Sequence, residues 1–161
     1  MYSLKVMKLI VPWRKYTHWA CLQCGKCCDK RVKLREEEVK NFDLDTIEII
    51  DSMVGVNRYK TYYIKKDVSK KCPFLIDNKC SVDSTKPYEC RMYPFEISRL
   101  PLAKTDGSQF EYNNKIYYIY ISPECSGFGH GIKIETTIEK IIDLWKNTEK
   151  KDSLITLKKR K

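Results

Sequence analysis

The chain has 161 residues, 42% of them hydrophobic and 12% aromatic, with 31 Lys and Arg against 21 Asp and Glu for a formal charge of +10. That length fits one cored domain and is short for two, and the apolar and aromatic share excludes wholesale disorder. Leu9-Ile10-Val11 ends at Pro12, and Lys5, Lys8, Arg14 and Lys15 interrupt the opening, so neither a membrane span nor a secretory leader is expected and the chain reads as cytoplasmic.

In chain order, residues 1–17 read as an irregular or strand-like lead-in. Residues 21–28 read as a loop, in which Gly25 permits the tight turn that gathers closely spaced ligands. Arg35 to Met53 carries Val39, Phe42, Ile47, Ile50 and Met53 behind Glu36-Glu37-Glu38, which predicts a helix broken near Asp43. Lys60 to Lys65 is rich in strand formers. Phe74-Leu75-Ile76 and Cys80-Ser81-Val82, joined by Asp77-Asn78-Lys79, predict a small hairpin. Lys115 to Ile121 is apolar or aromatic on both faces, which predicts a central strand. Ile134, Ile138, Ile141, Ile142 and Trp145 recur at helical spacing, and Thr136 with Glu139 forms a capping-box pattern, so an amphipathic C-terminal helix with a core-facing stripe follows. The expected fold is α+β: one small domain, 1–161, with a short sheet, a hairpin, a cysteine-rich metal-binding loop region and flanking helices. Residues 151–161 are expected to form a basic, solvated tail.

Eight cysteines carry the chemistry: Cys21, Cys24, Cys27, Cys28, Cys72, Cys80, Cys90 and Cys125. In a reducing compartment such density points to metal ligation ahead of disulfides. The Cys21-x2-Cys24-x2-Cys27 run has the spacing that wraps a four-iron four-sulfur (4Fe-4S) cluster, and Cys72-Pro73 resembles the remote Cys-Pro that completes one. Zinc fits as well, taking two thiolates from the loop and two from elsewhere. Four thiolates on a divalent centre leave −2, so two such sites would lower the formal +10 to +6. Cys27 and Cys28, being neighbours, are expected to diverge, one of them serving a second site or a bridging role; Cys80 reads either as a ligand or as hairpin filler.

Arg91, beside Cys90, is a candidate to donate to cluster sulfurs or offset their charge. His18 and His130 each lie near a cysteine block and are alternative ligands, while Gly127, Gly129 and Gly131 either bring amides to an anion or simply form a turn. Tyr62, Tyr63, Tyr117, Tyr118 and Tyr120 read as core and sheet residues ahead of base-stacking platforms.

These blocks resemble a known family, the YkgJ-like cysteine-cluster proteins with a C-x2-C-x2-C-C signature, described as a zinc- or iron-chelating domain. The resemblance lies in Cys21 to Cys28, Cys72-Pro73-Phe74-Leu75 with Cys80-Ser81-Val82, Lys86 to Phe95 around Cys90, and Cys125 with its following glycines. It implies chelation of zinc or iron by the cysteines. A related cysteine-rich domain in flagellin lysine methylases resembles an iron-sulfur module, but a glycine-rich nucleotide fingerprint after a strand is lacking here. The resulting expectation is a metal-binding protein with a structural or redox role, not an enzyme on its own. The alternatives are a basic nucleic-acid-binding module propped by structural metal, or an accessory subunit of a methyltransferase or redox enzyme. A protein partner is compatible with either.

Overall fold

The computed structural model describes residues 9–66, 71–102 and 107–158, with side chains up to 149. The elements run β1 (Val11–Pro12), β2 (His18–Trp19), β3 (Lys33–Leu34), β4 (Ile47–Val54), β5 (Asn57–Ile64), β6 (Leu75–Ile76) and β7 (Lys79–Cys80). Then come α1 (Tyr88–Met92), β8 (Phe95–Ser98), β9 (Gln109–Tyr112), β10 (Lys115–Ile121), β11 (Ile132–Lys133) and α2 (Ile134–Lys158). The mixture is α+β, as the sequence predicts. No helix among the described residues is long and apolar enough to cross a membrane. The chain divides into two compact units, Met1–Cys21 with Pro94–Lys161, and Leu22–Tyr93.

In the first unit β10 is central. β8 lies along one edge of it, Ile121 opposite Phe95, while β9 and then β1 lie along the other, Lys115 opposite Tyr112 and Ile121 opposite Val11. The two-residue β9–β10 turn places Asn113 and Asn114 at φ +52° and +57°, the left-handed conformation that Asn tolerates. Ile119 and Ile121 are fully buried, as are Ile134, Ile138 and Ile142 on α2. Trp145 meets Tyr117 edge to face at 6.1 Å, and the buried Tyr117 and Tyr120 are core residues, as expected. The helix starts at Ile134, so Thr136 sits inside its first turn instead of capping it, and it continues to Lys158, into the segment read as a tail; residues 159–161 lie outside the described residues.

The second unit carries the larger corrections. The helix expected from Arg35 to Met53 is two short 3-10 turns, Glu36–Asn41 and Leu44–Thr46, followed by strand β4. Ile47, Ile50 and Met53 sit at helical spacing, but pairing with β5 over the whole of Ile47–Val54, Ile47 opposite Ile64 and Val54 opposite Asn57, supplies the backbone partners that decide the conformation. Gly55, at φ +62°, makes the turn between them. The small hairpin is as expected, with Leu75 opposite Cys80 and Asp77 and Asn78 at positive φ. Val32, Leu34, Phe42, Ile47 and Ile64 form this unit's core, against which Cys72, Phe74, Val82 and Cys90 pack.

Candidate metal centre

Three short segments of the second unit deliver thiols. After Gly25, held at φ +74°, the chain enters a single 3-10 turn, Lys26–Asp29, so the stretch read as loop ends in a tight turn bearing Cys27 and Cys28. A Cβ on Gly25 would stand 3.2 Å from the Leu75 side chain, which seats this turn against the hairpin. The hairpin is closed by the Leu75 amide donating to the Cys72 carbonyl at 3.1 Å and the Ser81 amide to the Phe74 carbonyl at 2.8 Å, which sets Cys72 and Cys80 at its two ends.

The third segment, α1, carries Cys90 and is tied down by acidic and cationic side chains. Glu38, only 8% exposed, accepts hydrogen bonds from the Tyr88 amide at 2.6 Å and the Arg35 amide at 3.1 Å. Glu89 accepts one from the Lys33 amide at 2.8 Å. Lys30 lies over the Tyr93 ring and Arg35 over the Tyr88 ring, each at 4.2 Å. Glu38→Ala would leave two amides without their acceptor, at a cost of about 2 to 4 kcal/mol in denaturant unfolding; a loss below measurement error would show that Glu38 does not hold α1.

The outcome is a neighbourhood of five thiols, Cys27, Cys28, Cys72, Cys80 and Cys90. Burial first, then the charges of Cys27, Cys72, Cys28 and Cys80, push Cys90 up to about 12. Burial, then the charges of Cys27 and Cys72, a hydrogen bond that the Cys28 thiol donates to Cys27 and the charge of Cys80, push Cys28 up to about 12 as well. Cys27 and Cys28, expected to diverge, are instead hydrogen-bonded to each other. All eight cysteines are reduced. Among the described residues no three His, Cys, Asp or Glu side chains stand in ready-made ion-holding geometry. The donor set nonetheless suits zinc or iron, being made of soft sulfur ligands gathered in one neighbourhood.

The raised values fix a pH dependence. In metal-free protein the stability contributed by these two thiols is intact below an ordinary value of 9.0 and is lost as pH climbs through about 12, because the unfolded chain ionises first. The thermal midpoint of reduced, metal-free protein is therefore expected to fall between about pH 9 and about pH 11; a flat profile would contradict the crowding.

The remaining candidates lie elsewhere. Cys24 is exposed in the second unit, and Cys21, also exposed, belongs to the first. Cys125, half-buried in the first unit, accepts hydrogen bonds at Sγ from the Trp19 indole at 3.5 Å and the Gly127 amide at 3.4 Å. His18 has Nδ1 3.0 Å from Thr17 Oγ1, and His130 is exposed. Arg91 is half-exposed, its Nη2 3.8 Å from Glu38 Oε1. Sequence reasoning missed Glu38 and Trp19. The first was one of three successive glutamates with nothing to mark it as the buried one; the second was an aromatic two residues before the first cysteine.

A family model described as "Putative zinc- or iron-chelating domain" (CxxCxxCC) matches residues 20–126, well over half of the chain and a span that holds all eight cysteines. No curated protein and no solved structure matches the chain.

Proposed function

Since the chain belongs to the CxxCxxCC family of zinc- or iron-chelating domains, we propose that it holds an iron-sulfur cluster, 4Fe-4S by ligand spacing, in a structural or redox role. The observation that carries this is the neighbourhood of Cys27, Cys28, Cys72, Cys80 and Cys90; a cubane cluster and a tetrahedral zinc each take four thiolates, and the C-x2-C-x2-C spacing puts the cluster first. Bound there, the group would supply either a fold-stabilising cross-link or one-electron transfer. The chain's own part is to deliver the thiols on three anchored segments and to give up their protons. Cys24, in the same unit, stays in the proposed ligand set because the family's motif includes it, Cys21 and Cys125 are proposed metal ligands on the family resemblance alone, and Arg91 stays as a charge-offsetting neighbour of Cys90.

Zinc is the second reading, since four of the five thiols suffice for a closed structural site. Three cations of the second unit, Lys30, Arg31 and Arg35, lie over tyrosine rings. We place the protein in the cytoplasm, where reduced thiols persist, and treat residues 1–161 as one cysteine-cluster domain.

The test is protein purified without oxygen, with metal and acid-labile sulfide counted per chain. Brown protein with equal iron and sulfide supports the cluster; colourless protein holding zinc supports the second reading; protein taking up neither metal contradicts both.

A further inference from the structure

The outer half of the β4–β5 hairpin has no part in the second unit's core. Ile47 and Ile64, opposite each other at its base, are buried, yet all ten residues from Asp51 to Lys60 are exposed although they stay paired, Asp51 opposite Lys60 and Val54 opposite Asn57. The hairpin is therefore an arm that projects into solvent. Its end is apolar: Met53 is 65% exposed, Val54 68% and Val56 93%. The turn uses Gly55, at φ +62°, but turns in water favour polar residues, and folding gives no reason for a valine on each side of it. Side chains alternate between the two faces of a strand, so Met53 and Val54 point to opposite sides and the apolar end is two-sided. A groove on a partner protein covers one face of such an arm, whereas a two-sided tip suits a medium that surrounds it. Cations stand just behind the tip. Ser52 to Lys66 contains Arg58, Lys60, Lys65 and Lys66 with no Asp or Glu, and Asp51 lies at the base of the arm, opposite Lys60. Tyr59, also exposed, sits between Arg58 and Lys60.

We propose that this arm docks the protein onto a bilayer of anionic phospholipid, which it enters at the surface without spanning. Met53, Val54 and Val56 reach the acyl boundary, Tyr59 sits at the headgroup level that tyrosine favours, and Arg58 and Lys60 meet the phosphates. The spacing suits this. At about 3.3 Å per residue, Arg58 and Lys60 lie about 7 and about 13 Å behind Val56, against an insertion depth of about 5 to 10 Å for interfacial apolar groups. The formal charge of +10 draws the chain toward the same anionic surface. The arm's role is independent of which metal the cysteines hold.

The test is co-sedimentation of the full chain, purified without oxygen, with vesicles of phosphatidylcholine prepared with and without phosphatidylglycerol. Binding is expected with the anionic lipid only, weakening as salt rises, and amide exchange should slow across residues 51–60 in the bound protein. Val54→Ser with Val56→Ser is expected to weaken binding roughly tenfold or more, and Arg58→Gln with Lys60→Gln by a similar factor. Both variants change exposed residues outside the core, so each should keep the wild-type metal content and thermal midpoint. Binding that persists undiminished in the valine variant would mean that charge alone drives it, and would overturn the proposal. So would a chain that binds neither kind of vesicle. A wild-type chain that is dimeric by light scattering, and monomeric once the two valines are replaced, would assign the tip to a second copy of the chain and overturn the proposal as well.

Discussion

Cys90→Ser is expected to weaken zinc or iron(II) binding by roughly 100- to 1,000-fold, since one of four thiolates carries about 3 to 4 kcal/mol of a total of about 10 to 16. Cys90 is the choice because it feels all four of Cys27, Cys72, Cys28 and Cys80 and packs on the second unit's core. A serine there is a poor ligand for a soft metal and is set against an apolar surface. With five thiols in reach, one loss has a possible substitute. The double variant Cys80→Ser with Cys90→Ser leaves three, and its affinity should fall further. Competition against a chromophoric chelator measures both; wild-type affinity in the double variant would remove these thiols from the site.

Stripping the metal from reduced protein is expected to lower the thermal midpoint by roughly 20 °C or more, given the size of the binding energy that is coupled to folding. The second unit has a core of only Val32, Leu34, Phe42, Ile47 and Ile64, and burial and the neighbouring thiols make Cys28 and Cys90 resist ionisation. Amide hydrogen exchange should therefore accelerate across residues 22–93 on stripping. The amides of β10, whose Ile119 and Ile121 are fully buried in the first unit, should stay protected. Uniform protection before and after stripping would mean that the metal does not stabilise the fold.

What could be read from the sequence was whatever local pattern and burial decide together. β10 was legible because an uninterrupted apolar and aromatic run fits only a strand covered by neighbours, and α2 because its isoleucines repeat at the helical period; both were found where expected. The Asp77-Asn78 turn was legible because those residues accept positive φ. Ile47 to Met53 was not, since isoleucines there satisfy a helical period and a strand equally, and only the distant strand β5 settles the matter. For the site, the residue type and the family were legible, but the grouping was not. Which thiols meet depends on Glu38 reaching the Tyr88 amide fifty residues away, and on Gly25 settling against Leu75. Neither contact leaves a periodic trace.

The most direct test of the metal centre is a thiol footprint by mass spectrometry, alkylating anaerobically purified protein before and after chelation. Cys27, Cys28, Cys72, Cys80 and Cys90 should be protected while the metal is present and become modified once it is removed. Equal labelling of Cys27, Cys72 and Cys80 in the two samples would contradict a metal held by their sulfurs.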